Sequence, residues 1–321
     1  MSETRQHRLR WFQYSLRSLF LAMFLVSLGM SWFAVRMQRA KRQKEAVAAI
    51  VKLGGTVTYD YQVQQSGDLL PRADPPGAAW LRDLLGEDFF ATVVEVDFAF
   101  RSVNDDDLER LKGLTQLHTL GLGNTPITDA GLEHLKGLTQ LQTLELSHTP
   151  ITDAGLEHLK GLTQLRRLEL ACTPITDAGL EHLKGLTQLQ TLELSHTPIT
   201  GAGLEHLKGL TQLEQLDLNT TKATGTGLEY LKGLTKLQAL YLDHTKVTDA
   251  GLEHLEGVTQ LQWLSLSFTA IADAGLEHLK GLTQLKLLDL ESTQVTNEGA
   301  KKLQQALPKC EIYIEGGRKA S

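Results

Sequence analysis

Carboxylates recur in this chain at a fixed interval. Glu145, Glu169, Glu193 and Asp217 follow one another every 24 residues, and Asp97 and Asp289 fall on the same count. Carboxylates brought side by side repel one another and attract cations, so a regular column of them is a candidate surface for a basic partner. Histidines recur too: His134, His158, His182, His206, His254 and His278 on one count, and His148, His196 and His244 on another. Imidazoles bind zinc when they converge. Ser147-His148 and Ser195-His196 set a hydroxyl beside a base, the residue types of an activated nucleophile. Which of these chemistries is open depends on the elements that hold the groups.

Those elements are written as a repeat. GLTQLQTLELSHTPIT occurs at 137–152 and, letter for letter, at 185–200; looser copies begin at 113, 161, 209, 233, 257 and 281, so the period is 24. Counted from its glycine, the unit is G-L-T-Q-L-x-x-L-x-L-x-x-T-x-I-T-D-A-G-L-E-H-L-K. Leucines at unit positions eight and ten point inward from a short strand, while seven, nine and eleven point out. The threonine at thirteen (Thr125, Thr149, Thr173, Thr197, Thr221, Thr245, Thr269, Thr293) falls where the chain leaves the sheet. Its hydroxyl can bond backbone groups that the curve leaves unpaired. Isoleucine at fifteen re-enters the core, and Thr-Asp starts a short helix, either residue being able to cap it. Leucines at twenty and twenty-three face inward, and the glycine at one ends the helix. One unit cannot bury its leucines alone, but stacked units share a continuous core. Every connection crosses over through a helix, so the sheet is expected to be parallel. The architecture predicted is a curved α/β horseshoe, strands on its concave face and short helices on its convex face.

The leucines at five, eight and ten spell L-x-x-L-x-L, and on that motif the chain resembles the leucine-rich-repeat family across residues 89–314. FFATVVEVDFAFRSVNDDDLERLK, 89–112, is a degenerate ninth copy with Val93, Val96, Phe98, Val103, Leu108 and Leu111 in the core places. The I-T-D-x-G-L-x-x-L tail is similar to the subtype found in F-box adaptor proteins. Threonine at thirteen is a departure, since most relatives carry Asn or Cys there. LPKCEIYI, 307–314, reads as a closing strand and EGGRKAS, 315–321, as a loose polar tail.

Ahead of the repeats lies a different kind of sequence. Residues 1–44 carry nine Lys/Arg against one Asp/Glu in a chain of net charge −6, which leaves −14 for the remainder. A basic head on an acidic body suits a membrane-proximal segment and argues against nucleic-acid binding by the body. SLFLAMFLVSLGMSWFAV, 18–35, is free of charge, is flanked by Arg17 and Arg36, and as a helix covers about 27 Å, enough for a bilayer core. Trp11, Phe12 and Tyr14 before it, and Trp32 and Phe33 at its end, sit where aromatic belts form. Trp32 and Phe33 also occupy the place where a cleaved signal peptide needs small residues, so 18–35 reads as an uncleaved single-pass transmembrane anchor. The short basic tail, 1–17, points to a cytoplasmic N-terminus and extracytoplasmic repeats. Between anchor and repeats, 36–88 reads as a stem helix over RMQRAKRQKEAVAAIVKL, a strand over TVTYDYQV, a turn-rich linker and a short amphipathic helix over AAWLRDLLGEDFF. Together these cap the first repeat. The leader, with RWFQYSLRSLF and KLGGTVTYDYQ, looks like the anchor and cap of bacterial membrane-anchored leucine-rich-repeat proteins.

On this scaffold the chemistries sort themselves. The six histidines at position twenty-two ride on outer helices about 8–10 Å apart, too far to share a zinc ion. His148, His196 and His244 stand on alternate strands, about 10 Å apart. No metal and no cofactor is expected. Adjacent Ser and His residues do not make a triad, and no glycine-rich phosphate loop is present, so an enzyme is not expected. Cys172 and Cys310 fall about six strand spacings apart, roughly 30 Å, beyond disulfide reach.

The outward strand positions remain. Glu145, Glu169, Glu193, Asp217, Ser265 and Asp289 share position nine with Tyr241, and Arg167 lies alongside. Two readings stand here: a surface for a basic protein or peptide, or a solvated acidic face. Tyr241 and Trp263, on adjacent strands about 7–8 Å apart and with Asp243, His244 and Phe268 near, form a candidate aromatic hot spot. The expected function is a membrane-anchored binding module whose concave face takes a protein or peptide. The alternative is a structural array of the cell envelope, favoured by the near-identity of the copies.

Overall fold

The computed structural model of the chain describes residues 16–63, 70, 73–314 and 318–319. Residues 1–15 of the basic tail, with Trp11, Phe12 and Tyr14, half of the turn-rich linker and most of the C-terminal tail lie outside the described residues.

The chain opens with helix α1 (Leu16–Lys52), 37 residues long. Span and stem are one helix, not two, because residues 31–53 contain neither Gly nor Pro to interrupt it. Its first half is exposed and apolar, and it is long and apolar enough to cross a membrane. Its second half buries Ala40, Gln43, Ala46 and Ile50, a single stripe at helical spacing. Gln43 keys that stripe to the cap: Nε2 donates to Asp88 Oδ1 at 2.9 Å and to the Ala91 carbonyl at 3.0 Å, and Oε1 accepts the Val93 N–H at 3.1 Å.

Strand β1 (Thr56–Tyr59) follows, then helix α2 (Ala79–Leu85) and β2 (Val93–Asp97). The repeats next contribute one short strand each. These are β3 (Thr119–Gly121), β4 (Thr143–Glu145), β5 (Arg167–Glu169), β6 (Thr191–Glu193), β7 (Gln215–Asp217), β8 (Ala239–Tyr241), β9 (Trp263–Ser265) and β10 (Leu287–Asp289). β11 (Glu311–Ile314) and β12 (Arg318–Lys319) finish a sheet whose spatial order is the order of the chain. From β2 to β11 the pairing is parallel, as 24-residue crossovers require. The two ends depart from that rule. β1 meets β2 antiparallel, and β12 folds back antiparallel on β11, so part of the tail expected to be loose is strand. Neither end pair is tied to a repeat-length crossover, and each covers an edge of the ladder.

The repeat leucines, with Ala46 and Ile50 of α1, form one buried cluster from the cap to Ile314. Between them the outer connections are barely helical. Asp129–Leu132 is a single α turn and Glu133–Leu135 a 3-10 turn, and 203–207, 225–231 and 275–279 are 3-10 throughout.

Two parts of the unit work differently from expectation. The position-one glycine does not take up a left-handed helix-ending conformation; positive φ appears instead at position twelve, from Phe100 and Asn124 to Phe268 and Ser292, with φ near 55–60° in every unit. Such a residue costs about 1 kcal/mol. Neighbouring bonds hold it: the His148 N–H donates to Ala171 O at 2.8 Å, and the Thr149 hydroxyl donates to Leu146 O at 2.6 Å. The threonine bond recurs in the same form from Thr125 to Thr293, as its placement in the unit predicts.

The aspartate at seventeen, in turn, is a clasp to the next unit. Asp129 Oδ1 and Oδ2 accept the N–H and hydroxyl of Thr152 at 2.8 and 2.6 Å, while the Thr152 Oγ1 caps its own helix through Ala154 N–H. The clasp recurs from Asp105 to Thr128, Asp153 to Thr176, Asp177 to Thr200 and Asp273 to Thr296. It also explains the glycine at nineteen, since a methyl group at Gly155 would collide with the Asp129 carboxylate. Gly201 and Gly225 lack the carboxylate, and there the units close backbone to backbone, Gly201 on Gly227 and Gly225 on Gly251. Proline at fourteen also disappears at this point, which frees the Lys222 and Lys246 N–H groups to bond Ile199 O and Ala223 O.

The clasp should show as coupling. Asp153→Ala and Thr176→Ala should each cost about 1–2 kcal/mol in denaturant unfolding, with the double variant little worse than either. Thr224→Ala, at an unclasped junction, should cost less than about half that. Additive losses at 153 and 176 would remove the clasp as a stabilising contact.

Candidate functional site

The concave wall is built by register. Gly121 stands opposite Glu145, Glu145 opposite Glu169, Glu169 opposite Glu193, Glu193 opposite Asp217, and Asp217 opposite Tyr241. Neighbouring strands are about 4.8 Å apart, so four carboxylates stand abreast. All four are half-buried. One positive charge sits among them: Arg167 of β5 reaches along its own strand to Glu169 at 2.7 Å.

The crowding appears in the proton affinities. Burial, with Glu169 beside it and Asp97 two strands away, raises the Glu145 carboxyl above its ordinary range. Asp217 is pushed up to about 6, by burial first and then by Glu193 and Asp243, against the opposing hydrogen bond from the Asn219 N–H. Burial and the charges of Asp217 and Asp243 raise the Tyr241 phenol as well.

Past the carboxylates the wall turns aromatic. Tyr241 and Trp263 line one shallow depression with Thr191, Glu214, Gln215, Gln238 and Ala239. Trp263 is exposed, and the Lys286 ammonium sits 5.3 Å from its ring centre. His244 and Phe268 are not among the residues of that depression. They stack on each other at the left-handed turns, rings 4.2 Å apart.

Two of the expected contact residues are occupied by the scaffold. Asp243 Oδ1 accepts the Ser267 N–H at 2.8 Å and the Ser265 hydroxyl at 2.5 Å, and Asn219 Oδ1 accepts the Asp243 N–H at 2.7 Å. Ser265 itself is buried, its short side chain sunk between Tyr241 and Asp289 in the register. Asp289, half-buried, accepts the Glu291 N–H at 3.0 Å. The outward-facing set is therefore Glu145, Arg167, Glu169, Glu193, Asp217, Tyr241, Trp263 and Asp289. Asn219, which carries no charge or aromatic ring, is not among the expected wall residues. Its signal was an amide at position eleven, between small residues on one side and Asp243 on the other.

Among the described residues no group of three or more His, Cys, Asp or Glu is arranged to hold a metal ion. Ser147 Oγ accepts the Ala171 N–H and the Ser195 hydroxyl donates to Glu193, so both serines bond to groups other than the adjacent histidine. Cys172 and Cys310 are free thiols.

A leucine rich repeat family model matches residues 115–175 and 163–222, and a second such model matches 282–303. The crystal structure of internalin C2 from Listeria monocytogenes is 30% identical over 62% of this chain and 80% of that one, with a TM-score of 0.54. This is a leucine-rich-repeat protein. The PEPR1–AtPEP1 crystal structure shares the leucine-rich-repeat architecture at 17% identity, covering 85% of this chain and 41% of that one with a TM-score of 0.50. No curated protein matches the sequence.

Asp217 offers a direct reading of the wall's electrostatics. Its raised pKa means that this group's contribution to stability is full below the ordinary 3.8 and is lost as pH rises through about 6. Asp217→Asn keeps the oxygen that accepts the Asn219 N–H. It should raise the melting temperature by about 2–4 °C near pH 8, and the gain should vanish near pH 4. An equal gain at both pH values would show that the charge is not the cause.

Proposed function

We propose that this leucine-rich-repeat protein is a membrane-anchored binding module whose concave face takes a basic segment of a protein or peptide. One observation carries the reading: four half-buried carboxylates abreast, with a single arginine among them. Like charges in adjacent register destabilise a sheet, and a bound cationic segment turns that repulsion into attraction. Tyr241 and Trp263 supply an apolar anchor at one end of the column, the residue types that dominate interface energetics. Residues 18–35 are the anchor, the basic tail 1–17 stays in the cytoplasm, and the cap 36–88 and repeats 89–314 stand outside. The reading as an envelope array without a specific ligand draws on the identity of 137–152 and 185–200, which makes the wall repetitive.

A peptide array of basic, neutral and acidic sequences, probed with the full chain in detergent, separates the two. Basic sequences should be retained, with retention falling as salt rises from about 0.05 to about 0.3 M. Glu145→Gln with Glu193→Gln, and separately Tyr241→Ala with Trp263→Ala, should each weaken retention about tenfold or more without loss of folding. Equal retention of acidic and basic peptides would favour the envelope array.

A further inference from the structure

A second apolar surface lies between α1 and the first repeat, outside the concave wall. On α2, Trp80 and Leu84 are 67% and 71% exposed, and their spacing of four puts them on one face of the helix. Bare tryptophan and leucine side by side on a soluble surface call for a partner.

Their position along α1 says which partner. Phe89, which follows α2, packs edge-on against Trp32 with centroids 6.4 Å apart and tilted against Phe33 at 5.5 Å. Trp32 and Phe33 belong to the last turn of the uncharged stretch that ends at Val35. Arg36 Nε donates to the Phe89 carbonyl at 2.8 Å, and its guanidinium lies 5.9 Å from the Phe89 ring centre. Leu84 and Leu85 share a hollow with Met37, Ala40, Lys41 and Lys44 of α1. At helical rise those α1 residues lie about 3–14 Å beyond Val35. The headgroup layer, where tryptophan concentrates, is about 5–8 Å deep, so Met37 and Ala40 fall within it and Lys41 and Lys44 lie just above. The charge fits as well: Arg36, Arg39, Lys41, Arg42 and Lys44 ring α1 at this level, outnumbering Asp83, Glu87 and Asp88 around α2.

We propose that α2 is a membrane-seated foot, with Trp80 and Leu84 inserted among the headgroups of an anionic bilayer beside the protein's own anchor. The cap then rests on the membrane at two points, α1 through it and α2 upon it, and the horseshoe is held at a set tilt. The proposal rests on reading 18–35 as a membrane span. The partner is a lipid surface, chosen over a second copy of the chain because the basic ring and the continuous apolar face of α1 flank the patch.

The test is tryptophan depth in the full chain, reconstituted in vesicles of phosphatidylcholine and phosphatidylglycerol. Trp11→Phe, Trp32→Phe and Trp263→Phe together leave Trp80 as sole reporter; a companion variant keeps only Trp263. Trp80 should be quenched strongly by bromine-labelled acyl chains and weakly by aqueous iodide, and Trp263 the reverse. Trp80 quenched by iodide as readily as Trp263 overturns the proposal. So does a Trp80 shielded from both quenchers with protein–protein cross-links forming, which assigns the patch to a second copy. Alkaline carbonate extraction reads the anchor separately. Protein retained by the membrane with a wet Trp80 defeats the foot alone, and protein stripped from it defeats both readings. If the triple-Phe chain does not fold, Leu84→Cys in a Cys172→Ser chain, labelled with a polarity-sensitive dye, reports the same depth, because Cys310 is buried.

Discussion

A leucine in this protein has nowhere to hide except against its own copy in the next unit. A 24-residue strand, turn and outer connection encloses no interior by itself, so each unit is stable only between two others. That constraint sets the register: Leu120, Leu144, Leu168 and Leu192 stack in one buried column, and whatever stands beside them stacks too. The carboxylate column is thus a by-product of core packing. Once the leucines are aligned, Glu145, Glu169, Glu193 and Asp217 have no freedom to avoid one another.

The same logic governs the outer side, with a different bond. From Asp105 to Thr200 successive units are held by a carboxylate gripping a threonine, and the glycine at nineteen exists to admit that carboxylate. At Gly201 and Gly225 the grip is absent and backbone meets backbone, while loss of proline at fourteen supplies new N–H donors. The horseshoe therefore contains two kinds of junction, and the change falls where the wall passes from carboxylates to Tyr241 and Trp263.

Much of this was legible in the letters, for a physical reason. Periodicity reports burial, so the leucine columns, the strand positions and the bond from each Thr at thirteen could be read directly. What escaped depends on neighbours in space. Nothing about Phe100 or Cys172 announces a left-handed backbone, because that conformation is imposed by bonds to the following unit. Asp129 looked like a helix cap until its partner, 23 residues away, was in view. Ser265 and Asp243 share outward parity with the true wall, yet one is too short to reach solvent and the other is bonded to its neighbours. Parity assigns a face; it does not say which side chains on that face are free.

The unbroken α1 has a mechanical meaning. Trp32, Phe33, Arg36, Ala40, Gln43, Ala46 and Ile50 are gripped by the cap along one stripe, so the helix cannot swivel under the repeats. Its remaining circumference within 18–35 is thereby locked in azimuth to the concave wall. A single residue inserted upstream of Trp32 would turn the exposed apolar side chains ahead of it by about 100° beneath an unchanged horseshoe. The compass bearing of the wall, relative to anything that grips the exposed apolar half of α1, is encoded in helical phase rather than in any joint.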